Sequence, residues 1–434
     1  MRVRMHSEPG KLILTFDLDD DDRPIPSSKY QMANNVVTTI LPPEVDAEKI
    51  HPDLLGLCCI MIAEPFVGKE IQLPKPVSKR FFDGHSKVTS RYKISNVDDQ
   101  VLPWMPANDS VPGLAFSGGV DSTAALSLLP HSTIPVFLNR PLKGRSAYNK
   151  DAVENSCREI KRLIYNVQMV ECDLEYVRSP VGFPVDVANS VPAILLADHL
   201  KLDSIAFGTI MESSYRIGHK SFIDYPRGNH YRHWGGIFAA AGIALNYPVA
   251  GISEVGTSII VNNSPIGFVA QSCMRGTWKL PCLNCWKCFR KLILDSAINS
   301  EELDASALET LFDNREALRF VGEIPIKHEN VLTWATNRLD FDYELFKLLK
   351  LRVEGDDKSY DWMSKWYSKS IELVPGKYRP FVEGKIKQYL QVMDANDEIQ
   401  MSSWSMSDLI EAESTQTNSD NLSSTMDRHI KSRQ

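Results

Sequence analysis

Long apolar runs are missing from this sequence, and so is an excess of positive charge. No stretch approaches the roughly 18 apolar residues of a membrane-spanning helix, and the first residues lack the apolar segment of a secretory signal peptide. The 48 Lys and Arg residues are outnumbered by 55 Asp and Glu residues, which gives a formal charge of −7. We therefore expect a cytoplasmic protein that does not enter membranes and is no general nucleic-acid binder, because such binders are basic.

Cysteine is too sparse for a disulfide scaffold. The chain has eight Cys among 434 residues, a usage that fits a reducing compartment. Four of them lie close together in the pattern C-x8-C-x2-C-x2-C, as Cys273, Cys282, Cys285 and Cys288. Four thiolates at this spacing suit tetrahedral Zn²⁺ in a closed, structural site. An iron–sulfur cluster and free thiols are the alternatives that the spacing leaves open.

The lysine that follows the glycines of a Walker phosphate loop is also missing. The chain has instead Ser-Gly-Gly-Val-Asp-Ser at residues 117–122, between a short apolar run and an apolar-periodic segment. This order predicts a strand, a tight turn and a helix. Backbone N–H groups at a helix N-terminus favour an anion, and an acid beside phosphates is explained if Mg²⁺ bridges them. The loop is therefore predicted to be a phosphate cradle.

Strand and helix patterns alternate after this loop. Strands are predicted at 134–139, 166–173 and 204–208, and helices at 148–165 and 187–200. The alternation predicts an α/β fold with a parallel, Rossmann-like sheet and helices on both faces. Ligands of such sheets bind beyond the carboxyl ends of the strands. Asn139, Gly208 and Thr209 stand at two further strand ends and are candidate cofactor-binding residues.

The loop resembles the pyrophosphate loop, Ser-Gly-Gly-x-Asp-Ser, of the PP-loop ATP-pyrophosphatase superfamily, whose members cleave ATP between the α and β phosphates. With the cysteine pattern added, residues 113–294 resemble the 7-cyano-7-deazaguanine synthases. That family has the same cysteine spacing, a polar acceptor loop with Tyr-Pro, here Tyr225-Pro226, and a Pro-containing strand before the cysteines, here at 247–249.

The resemblance implies an enzyme that activates a carboxylate as its adenylate, releases pyrophosphate and passes the acyl group to ammonia. The implied cofactors are ATP, Mg²⁺ and Zn²⁺, and the adenosine is implied at the strand end of Asn139. The implied phosphate-binding residues are Ser117, Gly118, Gly119, Asp121 and Ser122, of which Ser117 and Asp121 are the catalytic candidates. The four cysteines would bind the zinc.

The chain departs from this family where the substrate would bind. Glu254 stands near the position of a family lysine, and Gln271 replaces a Trp two residues before the first cysteine. Substrate-binding candidates are Glu254 and, in the polar segment 210–230, Tyr225 and Arg227. Proteins that are similar to this family and carry extensions occur among anti-phage defence systems, and some of them attach a deazaguanine to a protein. Two other hypotheses are an enzyme similar to the UDP-N-acetylmuramoyl-alanyl-glutamate epimerases, and a nucleotide-binding scaffold without catalysis.

The chain is predicted to have four regions. Residues 1–112 form a small α+β extension, residues 113–294 the loop-bearing domain, residues 295–394 a helical domain, and residues 395–434 a disordered tail rich in Ser, Thr, Asn and acids. The expected partners are a small-molecule carboxylate and either a protein substrate or a partner subunit. The helical domain is the expected contact surface of a homodimer or of a partner protein.

Overall fold

An α+β layer forms the N-terminal part of the chain. The computed structural model describes residues 1–22, 30–143, 148–218 and 220–433. The elements of this layer are β1 (Arg2–Glu8), β2 (Lys11–Asp17), β3 (Gln31–Met32), β4 (Val36–Ile40), α1 (Pro52–Ala63), β5 (Glu70–Val77), α2 (Lys79–Val88) and β6 (Lys93–Val97). Its sheet has the order β4-β2-β1-β5-β6. Side chains of β2 and β4 alternate between buried and more exposed positions, because only one face of the sheet packs on helices.

A parallel sheet forms the centre of the molecule. The elements that follow the first layer are β7 (Val111–Ala115), α3 (Val120–Leu128), β8 (Ile134–Asn139), α4 (Asp151–Arg162), β9 (Gln168–Glu171), β10 (Arg178–Ser179), α5 (Val191–Leu195), β11 (Leu202–Ala206), α6 (Met211–Ser214), α7 (Asn229–Ala241), β12 (Ala244–Asn246) and α8 (Glu254–Asn263). The five strands of this sheet lie in the order β12-β11-β7-β8-β9, and every pairing is parallel. The predicted α/β class with a parallel sheet is confirmed.

Two apolar cores cover the two faces of the central sheet. On one face, Leu114 and Phe137 pack with side chains of α3, α4, α8 and a later helix. On the other face, Val136 and Ile205 pack with α1, α5 and α7. The second core continues into the N-terminal layer, so the predicted boundary at residues 112 and 113 does not interrupt the packing.

The strand ends that the sequence singled out meet at one edge of this sheet. Strand β7, which leads into the glycine loop, lies between β11 and β8. The carboxyl ends of all three therefore open on the same side, as parallel pairing requires. The strand predicted at 247–249 is wrong: β12 ends at Asn246. Pro248 lacks the N–H group that would continue the ladder.

The C-terminal part is helical, as predicted. Its helices are α9 (Trp286–Asn299), α10 (Ala305–Phe312), α11 (Arg315–Val321), α12 (Glu329–Asn337), α13 (Glu344–Arg352), α14 (Arg379–Tyr389), α15 (Ala395–Ser402), α16 (Ser407–Glu411) and α17 (Glu413–Ser432). None of the helices in the described ranges combines the length and apolar character that a bilayer crossing requires.

The prediction of a disordered tail is wrong. Residues 395–402 form α15, and α17 packs on α11 and α13. The apolar residues of α17 follow one another at a spacing of four, as Leu422, Met426 and Ile430, and all three are buried. The polar composition of the segment led to the prediction of disorder. A helix needs only one apolar face to pack on a core, and these three residues form that face.

Candidate functional site

The glycine loop is braced by its own serines. The Ser117 N–H donates to Ser122 Oγ at 3.3 Å, the two hydroxyls lie 3.1 Å apart, and Ser122 Oγ donates to the Gly119 carbonyl at 3.1 Å. Gly118 has a φ of +69°, and a Cβ on it would meet Val153 at 3.0 Å. Ser122 is therefore a buried brace, whereas Ser117 stays exposed at the loop surface.

Two helices begin beside each other here, and only one has a capped N-terminus. At α8, the Ser253 hydroxyl accepts from the N–H groups of Val255 and Gly256, and Glu212 accepts from the N–H of Glu254. At α3, Gly119 is the cap residue and no side chain caps the helix. Among the residues that the structure describes, the first N–H groups of α3 therefore have no partner and can bind an anionic ligand.

Asp121 lies in the first turn of α3 and points toward α8. Thr257 Oγ1 donates to Asp121 Oδ1 at 3.0 Å. Burial raises the pKa of Asp121 above its ordinary value, and the charge of Glu254 adds to this effect, while Lys291 and Lys287 oppose it. A carboxylate that is costly to ionise gains most from a nearby divalent cation. Asp121 thus fits the predicted role of holding Mg²⁺ at the phosphates.

A cavity opens at the end of β8, and we call it the β8 cavity. Its lining comprises Ser117, Gly119, Phe137, Leu138, Arg140, Tyr148, Asn149, Ala152, Val153, Glu175, Phe183, Gln271, Ser272, Cys273, Met274 and Lys287. Apolar and aromatic walls with a few polar groups suit a heterocyclic ligand. Asn139, predicted at this strand end, is absent from the lining. Its Oδ1 is buried and accepts no hydrogen bond from the described residues.

A second cavity, the β11 cavity, opens on the other side of the loop. Its lining comprises Ala115, Ser117, Gly119, Asp121, Ser122, Asp186, Val187, Asn189, Phe207, Gly208, Thr209 and Lys287. Gly208 and Thr209, predicted at this strand end, both belong to it. A Cβ on Gly208 would lie 2.7 Å from the Ser122 nitrogen and 2.9 Å from the Asp121 carbonyl carbon. Only glycine fits at position 208, because the end of β11 approaches the loop too closely for a side chain.

The sequence assigns Lys287, with Lys279, Arg290 and Lys291, to offsetting the charge of the four thiolates, but it does not predict that Lys287 lies beside the glycine loop. Lys287 lies in α9 between two of the cysteines and lines both the β8 and the β11 cavity. The neighbouring cations are engaged, since Arg290 and Lys291 pair with Glu254. Within the described ranges, Lys287 makes no side-chain hydrogen bond or ion pair. A partly buried, unpaired ammonium beside a glycine loop is suited to bind phosphate oxygens.

Lys287→Met should weaken the binding of ATP without unfolding the protein. Methionine keeps the length of the side chain and breaks no existing ion pair. A hydrogen bond to a charged group contributes about 1.5–3 kcal/mol, so we expect the Kd to rise about 10- to 100-fold. Titration calorimetry with Mg²⁺ and a non-hydrolysable ATP analogue measures this. Lys279→Met is the control, because Lys279 Nζ reaches the Phe268 carbonyl outside both cavities. Equal affinity in wild type and Lys287→Met would contradict the assignment.

The four predicted cysteines come together. Their Sγ atoms all lie within 4.8 Å of one another, and those of Cys282 and Cys288 are 3.9 Å apart. Sulfurs around Zn²⁺ at about 2.3 Å are separated by about 3.8 Å, so the cluster fits a tetrahedral ion. N–H groups of Gly276 and Cys282 donate to Cys273 Sγ at 3.2 and 3.4 Å. These donors favour thiolate sulfur. The cluster could hold a metal such as zinc.

The cysteine segment is tied to the glycine loop. The Gln271 N–H donates to the Gly118 carbonyl at 2.7 Å. The Trp278 N–H donates to Asp151 Oδ2 at 2.7 Å, at the start of α4. Residues 271–274 form one wall of the β8 cavity. The cysteine segment therefore shapes one wall of the β8 cavity.

Glu254 lies in a buried ion cluster and lines neither cavity of the loop. Arg290 donates to it through Nε at 3.1 Å and Nη2 at 2.9 Å, and Lys291 Nζ lies 3.1 Å from Oε1. His328 Nδ1 is 3.4 Å away. Burial alone would raise the pKa of Glu254, but these three partners outweigh it and hold the pKa well below its usual range. The geometry does not support the substrate role predicted for Glu254. Its carboxylate is paired with side chains of α9 and with His328 at the start of α12, and it links these helices to α8.

Glu254→Lys should unfold or severely destabilise the protein, because it adds a positive charge to buried Arg290 and Lys291. Breaking a buried pair by removing one partner costs about 3–5 kcal/mol. Urea unfolding measures the loss, and Glu301→Lys, at an exposed position, is the control. A stable Glu254→Lys protein with faster turnover of an anionic substrate would instead show that this residue faces the substrate.

The two other predicted substrate residues separate in space. Arg227 pairs with Asp224 in an exposed groove away from the loop. Tyr225 is buried, and its hydroxyl lies 3.0 Å from His230 Nδ1.

Segment 210–230 is not one polar loop, since the short helix α6 within it is buried. His219 lies outside the described residues. Asp186, which lines the β11 cavity, carried no recognisable sequence pattern.

Comparison with known proteins adds one match. A family model described as a family of unknown function, DUF6395, matches residues 233–405. The match includes the cysteine segment, Lys287 and Glu254, but not the glycine loop. No curated protein and no solved structure matches the chain. The comparisons therefore assign no activity to the site.

Proposed function

We propose that this chain is an ATP-dependent enzyme that activates a carboxylate as its adenylate and releases pyrophosphate. In this proposal the central sheet is of the PP-loop ATP-pyrophosphatase type, and the enzyme is similar to the 7-cyano-7-deazaguanine synthases. One observation carries the proposal: an uncapped helix N-terminus lies between two cavities that share Ser117, Gly119 and Lys287. Such a site can hold the nucleoside on one side of the phosphates and the acyl group on the other.

The chemistry follows from this layout. A carboxylate oxygen attacks the α-phosphorus of ATP, and the bond from that phosphorus to the bridging oxygen breaks. Pyrophosphate leaves with the electron pair. The free N–H groups of α3 and the ammonium of Lys287 stabilise its growing charge, which is where preorganised donors act most strongly. Mg²⁺ held through Asp121 would supply further charge neutralisation. The reaction needs no protein nucleophile.

The four cysteines have a structural role in this proposal. Zn²⁺ bound by them would fix the wall of the β8 cavity and the position of Lys287. We further propose that the enzyme acts in the cytoplasm on a small-molecule carboxylate. A deazaguanine carboxylate is the first candidate, and its transfer to a protein in anti-phage defence is part of the same proposal.

The test is a product assay with wild-type protein. ATP and Mg²⁺ are incubated with carboxylates that include 7-carboxy-7-deazaguanine and a glutamate-containing dipeptide. Pyrophosphate and AMP should appear in equal amounts and only with a subset of the carboxylates. Formation of ADP and phosphate would contradict the proposal, because it would mean cleavage at the γ-phosphate. Absence of any carboxylate-dependent pyrophosphate would overturn it.

A further inference from the structure

Three hydrogen-bonded side chains lead from the protein interior to the β11 cavity. The hydroxyl of buried Tyr225 lies 3.0 Å from His230 Nδ1. The other ring nitrogen, Nε2, lies 3.0 and 2.9 Å from the two carboxylate oxygens of Asp186. Asp186 belongs to the lining of the β11 cavity, as do Asp121 and Lys287. The chain therefore ends beside the place where the proposed adenylate would form.

One ring nitrogen of His230 faces a phenol and the other faces a carboxylate. Burial raises the pKa of Tyr225, so the phenol keeps its proton and can donate a hydrogen bond to His230 Nδ1. In the tautomer that accepts this hydrogen bond, the imidazole carries its hydrogen on Nε2 and donates to Asp186. This is the arrangement in which a carboxylate is held in place by a histidine and still has lone pairs for another ligand.

The β11 cavity offers acceptors where a substrate would lie. Asp186 contributes carboxylate oxygens, and the Oδ1 of Asn189 is buried without a hydrogen-bond partner among the described residues. Thr209 adds a hydroxyl. A ligand that donates N–H groups satisfies these oxygens, because a buried acceptor left unpaired is costly. Lys287 lies in the same lining, at the glycine loop, and suits the phosphate end.

We propose that Asp186 binds the amine that receives the acyl group and accepts its proton, with His230 and Tyr225 as positioning residues. This inference rests on the proposed function and adds the second substrate to it. The amine nitrogen forms a bond to the carbonyl carbon of the acyl adenylate. The bond from that carbon to the phosphate oxygen breaks, and AMP leaves with the electron pair. At neutral pH the amine arrives as an ammonium ion, which gives one proton to the Asp186 carboxylate before the nitrogen attacks. The second proton, lost when the amide forms, passes to water, and no oxidant or reductant takes part.

The experiment separates the two half-reactions of the full chain. The first-turnover burst of pyrophosphate measures adenylation, and amide formation from ammonia or methylamine measures aminolysis. The carboxylate is the one that releases most pyrophosphate in the panel above. Asp186→Asn should keep the burst within about twofold and lower amide formation by about 100-fold or more, the usual size of a proton-transfer contribution. Hydroxylamine is unprotonated at neutral pH, so its product should fall by no more than about threefold.

Two further variants test the positioning. His230→Asn should lower amide formation about tenfold with little change in the hydroxylamine reaction. His199→Asn is the matched control, because His199 also contacts a carboxylate, that of Glu44, at 3.7 Å and lines neither cavity. The comparison of ammonia with methylamine shows which amine source the cavity prefers.

The outcomes are distinguishable. If Asp186→Asn lowers the pyrophosphate burst as much as amide formation, Asp186 serves adenylation and the inference is overturned. Unchanged amide formation overturns it as well, while the proposed function stands. A wild-type protein that releases no pyrophosphate with any carboxylate overturns the proposed function and this inference together. Because an exposed Asp–His pair contributes little to stability, the variants are expected to fold.

Discussion

Asp121→Asn should abolish carboxylate-dependent pyrophosphate release while the protein stays folded. Asparagine keeps the shape of the side chain and can still hydrogen-bond to Thr257, so the loop has no reason to move. It removes the charge that would hold Mg²⁺ at the phosphates, and carboxylate oxygens are the ligands that this ion prefers. Loss of one electrostatic group of this kind typically lowers a rate by about 100- to 1000-fold. Pyrophosphate release and the melting temperature are measured on the same sample.

The stability of this variant has a predicted sign. Because burial raises the pKa of Asp121 in the folded state, the contribution of this group to stability is fully present at acidic pH. It is lost as the pH rises through the folded-state pKa, so at neutral pH the ionised carboxylate costs stability. Asp121→Asn should therefore melt at the same temperature as wild type or higher. Asp295→Asn is the control, since burial also raises the pKa of Asp295, which lies outside both loop cavities. If the Asp121→Asn variant released pyrophosphate at the wild-type rate, the prediction that this loop binds the phosphates of ATP would be wrong.

The predictable part of the fold was local in sequence. The glycine loop could be recognised because strand, turn and helix are adjacent in the chain, and each has its own residue preference. The meeting of β11, β7 and β8 followed from a general property of parallel sheets, in which carboxyl ends share one edge. The cysteine cluster could be predicted because it is also local in sequence: Cys282, Cys285 and Cys288 are separated by only two residues each.

What the sequence did not reveal depends on distant packing. Lys287 and Arg290 are neighbours on one helix, yet Arg290 pairs with Glu254 and Lys287 points into the cavities. No local pattern distinguishes the two. Glu254 is a substrate candidate in the sequence because it stands near a lysine position of the family that the chain resembles. Nothing in the sequence shows that Arg290 and Lys291 contact it. Asp186 lines the β11 cavity, and its contact with His230 joins positions that are 44 residues apart in the chain.

These contacts link the glycine loop to regions that are remote in the chain. Thr257 joins Asp121 to α8, and Glu254 joins α8 to α9 and to His328. Asn330 Nδ2 donates to Glu212, which accepts from the first N–H of α8. Side chains of the helical C-terminal part therefore help to hold α8, and through it the glycine loop, in position. Changes in this region are expected to reach the proposed nucleotide site through these side chains.

Removal of the metal should weaken both stability and ATP binding. We expect one zinc per chain by elemental analysis, and its loss in Cys285→Ser, because a fourth thiolate closes the tetrahedron. Structural zinc sites contribute an apparent binding free energy of about 10–16 kcal/mol in small zinc-finger peptides, so metal loss should unfold at least the cysteine segment. That segment forms a wall of the β8 cavity, and Lys287 stands between Cys285 and Cys288.

The ATP analogue should therefore bind Cys285→Ser at least about tenfold more weakly, which is the loss expected for one charged hydrogen bond alone. A chelator should reproduce the effect in wild type, and added zinc should reverse it there but not in the variant. Cys59→Ala is the control, because Cys59 is buried in α1, far from the cluster. That variant should retain its zinc and its affinity for the analogue. If zinc-free protein bound the analogue as tightly as zinc-loaded protein, the cysteine segment would have no part in shaping the nucleotide site. Visible absorbance from iron and sulfur, with no zinc, would assign the cluster to an iron–sulfur centre.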